Sequence, residues 1–226
     1  MSWYLLNSGR GEAAGNMALD EALLEHVARL GRPVLRFYGW TQRAATFGYF
    51  QKFAEIGRVT QLRPLIRRPT GGGLVPHDAD WTYSAAFPPG HEWHGVKAGE
   101  SYRRIHDWLR LAFAALKVET ALAPAAKISL PGQCFAGHEK FDLLWHGKKI
   151  AGAAQRRNRL GLLIQGSVQP PPLPLERSAF ERAMQQVARE NFQVDWQVLS
   201  PDSALAQRAA GLAAEKYSLA AYNEKR

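Results

Sequence analysis

Cysteine is nearly absent from this 226-residue chain, which has one, Cys134. A lone cysteine closes no internal disulfide, and without a CxxC pair there is no zinc-finger spacing. Both facts fit a reducing compartment. Long hydrophobic runs are also missing, since no stretch approaches the ~18 apolar residues of a membrane helix. The opening residues, MSWYLLNSGRGE, lack the basic start and the apolar length of a secretion signal. A soluble, cytoplasmic protein is therefore expected. There is no internal repeat, no P-loop and no dinucleotide fingerprint. Helix-turn-helix, finger and RNP patterns are lacking too. Acidic residues are the scarcer charge: 20 Asp and Glu against 29 Lys and Arg give a net charge of +9. Such a surface attracts acidic partners, and charge alone does not choose between nucleic acid and an acidic protein. The basic residues are dispersed, with local density at Arg63, Arg67 and Arg68 and from Lys148 to Arg159.

What is present is an ordinary globular balance, 46% hydrophobic and 22% charged, enough to build a core without disulfides or metals. One domain over 1–226 is expected. Asn16 can cap a helix, with Leu19, Leu23, Val27 and Leu30 at helical spacing and Gly31 and Pro33 to stop it. Strands are expected at Val34–Tyr38, Ala44–Tyr49, Pro64–Arg68 and Thr82–Phe87. Tyr102, Ile105, Leu109, Ala112 and Leu116 mark one helix face. Strands follow at Phe141–Trp145, Lys149–Gln155 and Leu160–Val168, with His146-Gly147 as a tight turn. After the proline run Pro170–Pro174 come helices near Glu176–Glu190 and Ser203–Tyr217. Grouped strands among helices predict an α+β fold, a mixed or antiparallel sheet flanked by helices.

Two strings can carry chemistry. The first is Arg67-Arg68-Pro69-Thr70-Gly71-Gly72-Gly73-Leu74-Val75-Pro76-His77-Asp78. Its glycines let backbone N–H groups approach a ligand closely. Its arginines can meet phosphate or carboxylate. The bland alternative is a glycine-rich turn beside a surface charge pair. The second string runs from Asp142 to Arg156 and contains Lys148-Lys149-Ile150-Ala151-Gly152-Ala153-Ala154. Strand alternation would point Lys149 and Ala151 one way and Ile150 and Gly152 the other. The small residues leave room against the sheet beside an amine. The bland alternative is a solvated hairpin tip.

These strings resemble the signatures of lipoate–protein ligases. Arg67 to Asp78 resembles the family's Arg-Arg-x-x-Gly-Gly-Gly-x-Val-x-His-Asp element, and Asp142 to Arg156 resembles its second signature, in which an Asp precedes Gly-Lys-Lys-Ile-x-Gly-x-Ala. Asn16 to Leu23 is similar to its first helix, Gly48 to Gln51 to its Gly-x-x-Gln element, and Lys216-Tyr217 to the end of its catalytic domain. The resemblance implies a class II synthetase-like catalytic domain with no room for an accessory C-terminal domain. It assigns substrate contacts to Arg67, Arg68, Gly71, Gly72, Gly73, His77, Gly48, Gln51, Asp142, Gly152 and Ala154, and catalysis to Lys149.

The superfamily resembled holds two chemistries. Ligases activate a free acid with ATP and Mg²⁺, and Arg67, Arg68 and Lys149 would then meet the adenylate phosphate. Cysteine-type octanoyltransferases need no cofactor and pass the acyl group through a thioester on the enzyme. Cys134, in Gly132-Gln133-Cys134-Phe135, lies eight residues before Asp142 and resembles the Cys-Phe position of the transferases. A nearby ammonium such as Lys149 would favour its thiolate. Otherwise a lone Cys is a buried small hydrophobe. Trp81-Thr82-Tyr83-Ser84 and Gln155-Arg156 are also transferase-like, whereas the third glycine is ligase-like. Gln165 stands where both subfamilies commonly have His. The resemblance thus implies octanoyl or lipoyl transfer from an acidic acyl carrier protein, via Cys134, to a lysine of a lipoyl or glycine-cleavage carrier domain. No metal, nucleic acid or membrane is expected. A biotin ligase is disfavoured because its Gly-Arg-Gly-Arg-x-Gly-Arg element is absent, and a non-catalytic binder is the remaining alternative.

Overall fold

The computed structural model describes residues 1–127, 135 and 137–225. Cys134 lies outside the described residues. The chain runs β1 (Ser2–Gly11), α1 (Ala13–Leu30), β2 (Val34–Trp40), β3 (Ala44–Phe47), α2 (Phe53–Val59), β4 (Leu65–Arg67), β5 (Val75–His77) and β6 (Trp81–Phe87). Next come α3 (Glu92–Gly95), α4 (Ala98–Ala115), β7 (Ala121–Leu122), β8 (Leu143–Trp145), β9 (Lys148–Asn158) and β10 (Gly161–Val168). The last part holds α5 (Arg177–Phe192), β11 (Asp195–Val198), α6 (Ser203–Leu212), a π-helical turn (Ala213–Tyr217) and α7 (Ala220–Asn223).

Eight strands form one mixed sheet in the order β11-β1-β2-β6-β10-β9-β8-β7. Strands β4, β3 and β5 form a second, smaller one. The large sheet is parallel across β11, β1 and β2 and antiparallel from β2 to β7. Helices α1 and α6 cover one face and α4 and α5 the other. This sandwiching explains why β2 and β10 are buried at every residue and read as continuous rather than alternating strands. Leu35, Phe37, Ile164 and Leu162 go to the α4–α5 side, where Trp3, Trp93 and Trp108 pack edge-to-face. Val34, Tyr38 and Trp40 go to the α1 side with Met17, Leu23 and Val27.

The two layers on the α1 side are joined by one carboxylate. Asp20, fully buried, accepts from Arg36 Nη1 at 2.6 Å, Ser84 Oγ at 2.6 Å, Tyr38 Oη at 2.9 Å and Gln165 Nε2 at 2.7 Å. Helix α1 is thereby pinned to β2, β6 and β10 together. Burial and the adjacent carboxylate raise the Tyr38 phenol well above its ordinary pKa, so it stays a donor.

Two local expectations need correcting. Helix α1 begins at Ala13 with Glu12 as its N-cap residue, so Asn16 is not the cap. Instead it is buried inside the helix, where its amide donates to the carbonyls of Gly39 and Gly11 and its Oδ1 accepts from Arg36. The strand-to-helix junction uses the whole side chain. In β9, Leu143 faces Ala151 and Leu144 faces Lys149, leaving Ile150 as an extra residue. This bulge breaks the alternation. Ile150 and Ala151 both enter the core, and Lys149 folds back over Gly152.

Glycine at 166 is required by packing. A Cβ there would lie 2.1 Å from Cζ of the buried Tyr83 ring on the neighbouring strand. Gly166→Ala is expected to destabilise the fold by at least about 1–3 kcal/mol, the range for overpacking a tight core. Urea unfolding checks this, and a midpoint unchanged from wild type would mean that the ring has somewhere else to go.

Candidate active site

A cavity of about 480 Å³ opens between the large sheet, α4 and the glycine loop that links β4 to β5. Its size falls in the range of about 300–1,000 Å³ that holds a small ligand. Lys149, Gly152 and Ala154 of β9 line one wall, and Arg68, Gly72, Gly73 and His77 line another, with Gln51 beside them.

Lys149 places an ammonium in the cavity wall. Its Nζ lies 2.7 Å from Asp142 Oδ2, and the side chains are 6% and 0% exposed. Asp142 lies beneath the wall. It also accepts a hydrogen bond from the Tyr102 hydroxyl and one at 2.7 Å from the Glu139 N–H. A buried pair is tolerated when its remaining lone pairs are satisfied, and here they are. The ammonium fits only because residue 152 is glycine: a Cβ would come within 2.7 Å of Nζ and 2.6 Å of Cε. The Nζ also sits 5.2 Å from the Phe135 ring centroid, and Phe135 itself lines the cavity.

Helix α4 supplies the rest of this corner. Tyr102 lines the cavity, although helical spacing marks it only as part of an apolar stripe. One turn on, His106 is wholly buried and donates from Nδ1 to the Tyr102 carbonyl. Burial pushes its pKa down to about 4, so it is neutral at pH 7.

The glycine loop is built from within. Arg68 Nη2 donates to the carbonyls of Gly71 and Gly73, each at 2.8 Å, and Nη1 to Thr46 Oγ1. Gly48 packs against the loop so closely that a Cβ would fall 1.8 Å from the Gly72 carbonyl oxygen, and its N–H donates to Gln51 Oε1. Gly48 and Gly71 shape the loop without lining the cavity. Arg67 is also outside the lining and fully buried. Its guanidinium donates to the carbonyls of Tyr49, Gln51, Tyr222 and Asn223, and Asn223 Oδ1 accepts from its N–H. It clasps β4 to α7.

His77 has both ring nitrogens engaged, Nδ1 with Asp80 Oδ2 and Nε2 with Thr46 Oγ1, each at 2.8 Å, and stacks on Trp40 at 3.8 Å. Asp80 also accepts from Ser167 and Thr82. Gln165, in the cavity wall, accepts from Thr70 Oγ1 and donates to Asp20 and Met17. Asp80 and Thr46 carry no motif signal; only the fold brings them to His77. Among the described residues no cluster of three or more His, Cys, Asp or Glu is placed to hold a metal ion. No helix among them is long and apolar enough to cross a membrane.

Residues 12–194 match the family model of the lipoyl protein ligase A/B catalytic domain, and the chain belongs to that family. It is 35% identical over 181 residues to octanoyltransferase LipM of Staphylococcus aureus and 33% over 180 residues to that of Bacillus subtilis. Each match takes in 74% of this chain and 65% of the relative. The chain thus aligns with just under two thirds of those proteins' length. In structure it is similar to a T. acidophilum protein solved with bound lipoic acid (TM-score 0.84, 20% identity, all of both chains). It is also similar to lipoate-protein ligase A bound with ATP (TM-score 0.81, 20% identity, 99% of each). At such identities these likenesses show the fold, the α+β architecture expected from the sequence.

His106 sets a pH dependence. Its folded pKa lies below the value of about 6.5 for a free imidazole. The unfolded chain therefore binds the extra proton first, and stability falls as pH drops from about 6.5 towards 4. The group's share of that loss is on the order of 3 kcal/mol. His106→Gln should flatten this part of the stability–pH curve; an unchanged slope would assign the loss to other groups.

Proposed function

We propose that the chain is an acyltransferase of protein lipoylation, moving an octanoyl-type group from a carrier thioester through Cys134 to a lysine of a lipoyl or glycine-cleavage carrier domain. The observation that carries this reading is the company of Lys149: the residue next to Cys134 in the chain, Phe135, lines the same cavity as the ammonium. The similarity to octanoyltransferases supports it.

The chemistry follows from the groups present. Cys134 attacks the thioester carbonyl carbon, a C–S bond forms, and the carrier thiolate leaves. Exchange of one thioester for another is close to thermoneutral, so no ATP is needed. Lys149 offers positive charge to the thiolate and to the developing oxyanion. Asp142 fixes the ammonium at one place, and Tyr102 and the Glu139 N–H fix Asp142. A lysine amine then attacks the acyl-Cys carbonyl, a C–N bond forms, and Cys134 leaves as thiolate. Gly72 and Gly73 bring backbone to the cavity wall where the acyl carbonyl would sit, with Arg68 holding the loop from behind. In this reading both arginines of the motif serve the protein's own carbonyls, whereas a ligase would turn them to an adenylate phosphate. The +9 charge suits acidic acyl carrier and lipoyl-domain partners through electrostatic steering.

Mixing the protein with octanoyl-loaded acyl carrier protein, without ATP, should give a hydroxylamine-sensitive octanoyl adduct by intact mass. The adduct should be absent from Cys134→Ser and slowed about 10²-fold or more in Lys149→Ala, the usual scale for losing a charge-stabilising group. Labelling of a lipoyl domain only with lipoate, ATP and Mg²⁺, with Cys134→Ser equally active, would establish a ligase instead.

Gly152→Ala separates chemistry from folding. The clash falls on the far end of the Lys149 side chain and not on backbone, so the variant should still fold, with a circular dichroism spectrum like that of the wild type. A displaced ammonium should cost about 10-fold or more in rate. A variant as fast as wild type would mean that the position of Nζ is not critical.

A further inference from the structure

A carbonyl placed beside Lys149 has donors around it. The ammonium brings three protons and Asp142 takes one of them, and Gly72 and Gly73 line another wall. The sheet wall that leads away from this corner has a different character. Gly152, Ser167, Thr82 and Tyr38 stand opposite one another in turn across β9, β10, β6 and β2. Residues directly opposite share a face of the sheet, and all four line the cavity. Lys149 folds back over the first of them. Place the first carbon of an acyl chain there and extend the chain along the row. The fifth carbon then lies near Ser167 and the eighth near Thr82, at about 1.2 Å per bond and ~4.8 Å between strands.

The row and its neighbours are polar in type, yet their side-chain protons are taken. Ser167 and Thr82 donate to Asp80 Oδ2 at 2.7 and 3.0 Å, and Tyr38 donates to Asp20 at 2.9 Å. A carboxylate has only lone pairs to offer, so His77 Nδ1 brings the proton to Asp80 and Nε2 accepts from the Thr46 hydroxyl. Gln165 sends its amide protons to Asp20 and to Met17 Sδ. Arg68 gives Nη1 to Thr46 and Nη2 to Gly71 and Gly73. Neither aspartate lines the cavity, and their side chains, Asp80 and Asp20, are 1% and 0% exposed. From behind the wall they draw its protons away from the space that it encloses.

We propose that Asp80 and Asp20 make the cavity selective for acyl chains that carry no oxygen beyond the thioester carbonyl. A hydrocarbon chain gives up no hydrogen bond on entering. A ketone oxygen within the chain leaves water, can only accept, and meets side chains whose protons are directed elsewhere; a buried acceptor left unpaired is costly. The inference rests on the acyltransferase reading for the placement of the first carbon at Lys149, and it names the class of chain that this site takes.

The test compares three acyl groups on acyl carrier protein: octanoyl, 5-oxooctanoyl and 5-methylideneoctanoyl, the last having the shape of the ketone without its acceptor. Acyl-enzyme formation is followed by intact mass without ATP. Failure of octanoyl to load is failure of the acyl-enzyme reading, and is seen before any selectivity is read. In that case the three free acids are compared with ATP and Mg²⁺. The methylidene chain should load at close to the octanoyl rate. The ketone should load about 10- to 10²-fold more slowly, the scale on which an apolar pocket rejects an unpaired polar group. Asp80→Asn, checked for folding by circular dichroism, leaves the wall hydroxyls with less acceptor behind them and should bring the ketone and methylidene rates together. Equal rates for those two chains with the wild type would overturn the proposal, and this comparison decides alone if the variant does not fold. A folded Asp80→Asn that keeps the full gap would overturn it as well.

Discussion

The buried Asp20–Arg36 pair is the interaction on which this fold turns. One carboxylate inside α1 receives donors from β2, β6 and β10, and removing either charge would strand the other away from water. Breaking such a pair costs about 3–5 kcal/mol, a large part of the stability of an ordinary domain. The pair also reaches the cavity. Gln165 takes a place on Asp20 with its amide nitrogen and holds Thr70 with its oxygen. The residue that opens the glycine loop is therefore referenced to the same carboxylate as the sheet.

The opposite corner follows the same rule at smaller scale. Asp142 is wholly buried and gathers Lys149, Tyr102 and the Glu139 N–H, fixing a charge in the cavity wall by surrounding its counter-ion with donors. Small residues make both arrangements possible. Gly152 gives the ammonium its place, Gly48 gives the loop its place, and Gly166 gives the Tyr83 ring its place. In each case a single methyl group would occupy space already filled.

Much of this was legible in the sequence. The helix ending at Leu30, the tight turn at His146-Gly147 and the long strands β9 and β10 follow from periodicity and turn chemistry, and the His146 and Gly147 φ angles of 47° and 75° fit that turn. Strand β1 was not foreseen: its polar residues Asn7, Ser8 and Arg10 hide a strand whose hydrogen bonding is supplied by β2 and β11. The bulge at Ile150 was also out of reach, because it depends on register with β8 and not on local pattern. The same holds for the site. The residue types at Arg67, Arg68 and His77 pointed to a ligand, but their guanidinium and imidazole nitrogens engage the protein's own groups, some close in sequence, such as Gly71 for Arg68 and Asp80 for His77, and some distant, such as Asn223 for Arg67. Spacing reveals which residues gather; only packing reveals what each one faces.

The Arg67 clasp has a bearing on synthesis. The strand that carries this arginine is made early, but its guanidinium and N–H find partners at Tyr222 and Asn223, more than 150 positions later. Contacts so distant in sequence are the last to form as a chain leaves the ribosome. Until those residues emerge, a buried cation sits beside the glycine loop with part of its hydrogen-bonding unmet. The cavity is thus assembled in its final form only after Tyr222 and Asn223 have emerged, and a nascent chain cannot hold a finished site before α7 docks.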